Sequence, residues 1–364
     1  MMKDNKYTVL DLFCGAGGLS RGFIDAGFSV LLGIDIDSVA LKTFSDNHSG
    51  ALAMNLDLSN LDNVNLIKNF FNEKKYCLDV LVGGPPCQGF SLAGPRKIDD
   101  SRNVLYRAMV LTARLLRPKA VVIENVPGMI QLHGGLVKDK IIDDFSRLGY
   151  KMGEPKILYA PDYGVPQIRK RVFFIGLRGA NQEFLYPKAI LDNSHYITCE
   201  EAISDLPALI DIKGETIQEY PSGPNSEYQR LMRKGSTKIY NHEGTIHDEK
   251  TKKFIHMIPE GKNYKSLPPE YKGIYKYHEA LTRYHSKRPS PTINTGHRSH
   301  FHYKWDRIPT VRESARLQSF SDTFHFYGNK TEQYRQVGNA VPPLLGKAIA
   351  LELKKWLDND YDSH

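Results

Sequence analysis

The chain has 364 residues, 41% hydrophobic and 25% charged, which excludes a disordered or fibrous polymer and leaves room for one large domain or two unequal ones. Lysine and arginine total 49 against 41 acidic residues; the formal charge of +8 suits a polyanionic partner and equally a plain solvated basic face. The four cysteines (Cys14, Cys77, Cys87, Cys199) form no CxxC pair, and no apolar leader or membrane-length run is visible, so a reduced, cytoplasmic protein without membrane contact or metal is expected.

In chain order, residues 7–13 read as a strand. Cys14-Gly15-Ala16-Gly17-Gly18 is a tight glycine turn into a helix over 19–26, stopped by Gly27. A second strand, 29–35, ends at Asp35, about 20 residues beyond Gly15, the spacing at which an acid bonds ribose hydroxyls in nucleotide-binding β-turn-α-β units. The glycines lack the full dinucleotide fingerprint, and a packing turn with no ligand reads equally well. A helix over 38–44, a short strand over 51–55 followed by Asp57, and a helix over 65–71 lead to the apolar run from Leu78 to Val82.

That run ends in Gly83-Gly84-Pro85-Pro86-Cys87-Gln88-Gly89-Phe90-Ser91. Two prolines stiffen the backbone ahead of Cys87 and Gly89 turns the chain away. A thiol is thus presented at the carboxyl end of a strand, where open α/β sheets carry ligands; a lone cysteine is otherwise a small buried hydrophobe. Residues 94–103 read as a surface loop or as a lid over Cys87. After a helix over 104–116, the strand 120–123 delivers Glu124-Asn125-Val126, where a carboxylate needs a cap, an ion pair or a catalytic use. A helix over 141–148 follows. Gln167, Arg169 and Arg171 alternate ahead of a strand over 172–177, so an extended chain puts them on one face, functional or merely a basic edge.

From about Lys188 the strand–helix rhythm is lost. Residues 210–290 interleave basic residues with tyrosine, proline, glycine and histidine, which fits a nucleic-acid surface and also an unliganded loop-rich domain. His297, His300 and His302 cluster without cysteine or helical spacing, so no metal is expected there. Thr310 with Glu313 makes a capping-box pattern for a helix reaching Phe320, and Pro342-Pro343 opens the last helix.

Taken together, the chain resembles the C5-cytosine methyltransferases over nearly its whole length. Asp11 to Gly18 resembles their cofactor loop, Gly84 to Ser91 the nucleophile motif, Glu124-Asn125-Val126 the glutamate motif, and Gln167 to Arg171 the arginine motif. Arg288 to Ile293, Arg312 to Phe320 and Gln336 to Pro342 resemble the later motifs, in order. The match loosens between about Lys188 and Arg283, where the family reads its target.

The resemblance implies an α/β, Rossmann-like S-adenosylmethionine-dependent methyltransferase fold, residues 1–187 completed by 333–364, with a target-recognition domain at 188–332. It implies catalysis by Cys87, Glu124, Arg169 and Arg171: Cys87 adds to C6 of a flipped cytosine, Glu124 holds the N3 and N4 edge, Arg169 fixes the base carbonyl and Arg171 supports it. It places the cofactor against Phe13, Gly15, Gly17, Gly18, Asp35, Ile36, Asp57, Leu58, Pro85, Asn339 and Ala340. DNA contacts are expected at Gln88, Ser91, Arg102, Gln167 and Thr292. The implied partner is double-stranded DNA, bound by a monomer, with a cognate restriction endonuclease acting on the same site. An RNA methyltransferase on the same scaffold, a catalytically silent DNA-binding relative and a dinucleotide oxidoreductase are the competing readings.

Overall fold

The computed structural model describes residues 7–86, 104–269, 281–296 and 299–361. The chain divides into two compact units. One is Met1–Tyr159 with Lys170–Lys188 and Gly346–His364; the other is Ala160–Arg169 with Ala189–Leu345. Residues 160–169 and 333–345, expected with the first domain, pack within the second unit.

The first unit opens with β1 (Thr8–Leu12), α1 (Gly18–Asp25), β2 (Ser29–Asp35), α2 (Ser38–Asn47), β3 (Leu52–Asn55), α3 (Asn63–Lys74) and β4 (Val80–Gly83). It continues through α4 (Val104–Leu116), β5 (Ala120–Asn125), α5 (Leu136–Ser146), β6 (Tyr150–Met152), β7 (Lys156–Tyr159) and β8 (Lys170–Arg178). Among the described residues these strands form one sheet in the order β3-β2-β1-β4-β5-β8-β6, with β7 also on β8. The strands from β3 to β5 are parallel, while β8 runs antiparallel to β5, β6 and β7. This is the expected α/β architecture.

The inner strands β1, β4 and β5 are largely apolar and buried, as covered sheet faces require, whereas the edge strand β3 is partly exposed. Leu10, Leu12, Ile34, Leu81 and Val121 are wholly buried and pack with Phe71, Met109 and Phe145 from the helices. Local chemistry sets the helix starts: the Asp37 carboxylate accepts from the Val39 and Ala40 amides and caps α2. Strand order reverses between β1 and β4, whose last residues, Leu12 and Gly83, are paired. Such a switch point opens a crevice beyond the carboxyl ends of the strands. The glycine loop and the Gly84-Pro85-Pro86 segment leave the sheet there, side by side.

The second unit contains α6 (Cys199–Ile203), β9 (Ile217–Glu219), α7 (Glu227–Arg233), β10 (Lys238–Tyr240), α8 (Glu249–Met257), β11 (Thr282–Arg283), β12 (His300–Phe301), α9 (Val311–Leu317) and α10 (Lys330–Asn339). The final helix α11 (Pro343–Tyr361) begins in this unit and runs on into the first. Short elements leave little regular backbone pairing, and buried ion pairs supply part of the framework. Arg316, fully buried, bonds Asp205 and Asp322; Arg307 forms a two-pronged pair with Glu313 at 2.8 and 2.7 Å. Burial pushes the Glu313 carboxyl up, but Arg307 and His302 outweigh it and its pKa is lowered. The same carboxylate completes the capping box with Thr310 that the sequence predicts.

Candidate active site

The glycine loop is held in an unusual backbone. Phe13 has φ +62°, Gly15 +52° and Gly17 +88°, and a left-handed aromatic residue at a strand end is the kind of strain that functional loops retain. The carboxylate of Asp35, at the end of β2, accepts the Gly15 amide at 2.8 Å and the Asp37 amide at 2.9 Å. It therefore ties the second strand to the loop of the first. Burial raises the Asp35 pKa against these amide bonds. Glycine is required at 17: a Cβ there would lie 2.3 Å from His48 Cε1, and the His48 ring in turn contacts the Gly17 carbonyl at 3.0 Å.

Ile36 is 65% exposed beside Asp35, an apolar side chain left uncovered at the mouth of the sheet. Asp57 is exposed beyond β3, and Asn55 donates to the carbonyls of Asp35 and Ile36 at 3.1 and 2.9 Å. Leu58 turns inward. Its side chain is 2% exposed within the hydrophobic core, so only its backbone can border a ligand.

Glu124 and Arg171 form the charged centre of the first unit. Arg171 Nε lies 2.8 Å from Glu124 Oε1, and both side chains are largely buried. The register explains the pairing. Glu124 on β5 stands opposite Phe173 on β8, so Arg171, two residues along, is its diagonal neighbour on the same face. The second carboxylate oxygen faces β4: a Cβ at Gly84 would lie 2.9 Å from Glu124 Oε2. Pro85 is buried, and its carbonyl accepts from Asn125 Nδ2 at 2.8 Å. Cys87, Gln88, Ser91, Arg102 and the lid expected at 94–103 lie outside the described residues, as does His297.

Gln167 and Arg169 belong to the second unit. The alternation that puts three residues on one face holds only within a strand, and β8 begins at Lys170. Gln167 is fully buried in the second unit, accepting from the Ile293 amide at 3.1 Å and donating to the Leu317 carbonyl at 3.3 Å and to Gln318. Arg169, 1% exposed, donates to the carbonyls of Ile293 (3.1 Å), Gly338 (2.8 Å) and Ala340 (3.0 Å). Both side chains tie segments of their own unit together.

Thr292 is exposed and its hydroxyl donates to the Ile168 carbonyl. Asn339 is exposed at the end of α10, and the Ala340 carbonyl also accepts Gln318 Nε2 at 2.7 Å. His300 and His302 are core residues whose pKa values burial lowers to about 4 and about 3. Sequence reasoning assigned no part to Gln318, His48 or the Asn125 amide. Only the position of Asn125 directly after the glutamate pointed to the last of these.

Comparison with known proteins follows the same geometry. Residues 7–355 match the family model for C-5 cytosine-specific DNA methylase. The Type II methyltransferase M.DdeI of Desulfomicrobium norvegicum is 38% identical over 97% of this chain and 89% of its own length. M1.HphI of Haemophilus parahaemolyticus, also a Type II methyltransferase, is 37% identical over 97% and 88%. A solved structure described as a candidate DNA modification methyltransferase encoded within a prophage (E. coli) covers 97% of this chain and all of its own, with TM-score 0.80 and 29% identity. The Dnmt2 methyltransferase of S. pombe, at 17% identity, TM-score 0.60 and coverage of 96% and 99%, shares the fold. The chain belongs to the C-5 cytosine-specific DNA methylase family.

Proposed function

We propose that this enzyme methylates C5 of one cytosine within a fixed duplex sequence, as the modification half of a type II restriction-modification system. The observation that carries the reading is the Glu124–Arg171 pair lying against Gly84, at the start of the nucleophile motif. The Type II names of the relatives support the biological role, with a cognate endonuclease as partner.

Cytosine C5 is a weak nucleophile. Addition of the Cys87 thiolate to C6 makes the ring enamine-like and C5 reactive, which splits one hard step into two. Glu124 holds the N3 and N4 edge while negative charge moves into the ring. Arg171, the arginine on Glu124, takes the contact with the base carbonyl; Arg169 becomes a positioning residue of the second unit. Transfer of the C5 proton to a base and expulsion of Cys87 restore the aromatic ring. The base is reached only after flipping, which costs a few kcal/mol.

The residues fit S-adenosylmethionine: Asp35 for ribose hydroxyls, exposed Ile36 and Phe13 for the adenine, and the loop from Gly15 to Gly18 for the methionine part. When bound, it supplies the methyl group. Asp57, the Leu58 and Pro85 backbone, Asn339 and Ala340 complete the proposed set. Residues 188–332 carry target recognition, Thr292 contacts phosphate, and Gln88, Ser91 and Arg102 contact DNA around the flipped base. The test is transfer of labelled methyl from S-adenosylmethionine to unmethylated plasmid DNA and, in parallel, to bulk tRNA. Label in DNA is expected; label in tRNA alone would contradict the reading.

A further inference from the structure

We infer that Asn125 is a positioning residue that registers the nucleophile on the glutamate strand. The inference rests on the reading of Cys87 as nucleophile and Glu124 as its partner. The β4–β5 ladder ends with Gly83 paired to Ile123. Beyond it, Pro85 and Pro86 have no N–H to donate, so ladder pairing cannot continue through them in the usual way. The Pro85 carbonyl is instead taken by Asn125 Nδ2 at 2.8 Å, from a side chain that is 5% exposed.

The orientation of that amide is determined. Its oxygen accepts the Val126 amide at 2.9 Å. A flipped amide would set oxygen against the Pro85 oxygen and nitrogen against the Val126 N–H, replacing two attractive contacts by two repulsive ones. Glu124 meanwhile lies close against Gly84, where an added Cβ would sit 2.9 Å from Oε2 and displace the carboxylate. Two consecutive residues of β5 therefore grip two consecutive residues of the outgoing chain, and Cys87 follows Pro85 by two positions. A shift of the chain at Pro85 displaces the sulfur relative to the base that Glu124 holds, and a misplacement near 1 Å costs about 100-fold in rate.

Asn125→Asp tests this cleanly. The carboxylate keeps the shape and still accepts from Val126, but once ionised it cannot donate to the Pro85 carbonyl. Turnover on unmethylated plasmid DNA should fall about 30- to 100-fold, with the S-adenosylmethionine Kd within about threefold of wild type. Because a protonated aspartic acid donates again, the variant should recover relative to wild type as pH is lowered. Asn125→Ser introduces no charge; it should show the same loss without the recovery, and it decides the matter if the aspartate variant does not fold.

The second readout is covalent capture on a plasmid fragment amplified with 5-fluorodeoxycytidine triphosphate, since fluorine cannot leave C5 as a cation. Both variants should form the adduct more slowly than wild type by the same factor as turnover. Wild-type adduct rates in both, a loss in Asn125→Asp without recovery at low pH, or a Kd that rises in step with the loss of turnover, would overturn the proposal. A wild-type enzyme that forms no adduct would instead remove the nucleophile reading, and this inference with it.

Discussion

Arg171 and Arg169 stand two positions apart and do different work. Arg171 faces a carboxylate at the proposed reaction centre, whereas Arg169 bonds three main-chain carbonyls inside the second unit. Arg171→Ala should lower kcat about 100-fold or more, and it should also lower the unfolding midpoint in urea, because it leaves the largely buried Glu124 carboxylate unpaired. Arg169→Ala should act mainly on stability: it orphans buried carbonyls and should cost about 3 kcal/mol or more. Equal effects of the two on both measurements would contradict this division. Asp11 is a third residue with a measurable signature. It is fully buried at the end half of β1, and the Ser20 hydroxyl donates to its carboxylate at 2.6 Å. Burial, assisted by the charges of Asp35 and Glu124, pushes its pKa from 3.8 up to about 7. The folded state thus holds this proton more tightly than the unfolded chain, so stability should fall as pH rises from about 4 to 7. Asp11→Asn should flatten that part of the stability–pH curve measured by denaturant unfolding; an unchanged slope would assign the dependence elsewhere.

At the scale of elements, the loop between β1 and α1 is the most constrained piece of backbone in the proposed cofactor site. Gly17→Ala combines a left-handed φ with a collision against His48 and Phe44, so either the loop or the His48 contact must move. The S-adenosylmethionine Kd, by calorimetry, should rise about tenfold or more, equivalent to about 1.4 kcal/mol; an unchanged Kd would take the loop out of the site. The elements of the first unit are legible in the sequence because its buried strands are mainly apolar runs closed by glycine or by acidic and amide residues. β2 and α4 carry the bounds their pattern predicts. α5 starts at Leu136, five residues ahead of its clear amphipathic stretch, because left-handed Gly135 opens it without a polar cap. The second unit is far less legible. Arg316, with no exposed surface, is neutralised by Asp205, over a hundred residues away, and by Asp322. Pattern reading places such residues on a surface, since only their distant partners make their burial tolerable. The site divides the same way: Glu124 and Asp35 are visible as carboxylates at strand ends, whereas the roles of Gln167 and Arg169 follow from where β8 begins.

Over the whole molecule, a sheet-based unit that carries the glycine loop, Asp35 and the Glu124–Arg171 pair at its strand ends is joined in one chain to a unit built from short elements and buried ion pairs. The net charge of +8 suits a polyanion, and phosphate contacts would make binding fall steeply with salt. The proposed division of labour gives chemistry to the first unit and choice of sequence to residues 188–332. The most direct test is bisulfite sequencing of plasmid DNA from cells expressing the protein. One protected cytosine in a single short context, lost in Cys87→Ser, is the expected result. An unprotected plasmid from cells containing folded, S-adenosylmethionine-binding protein would contradict the account.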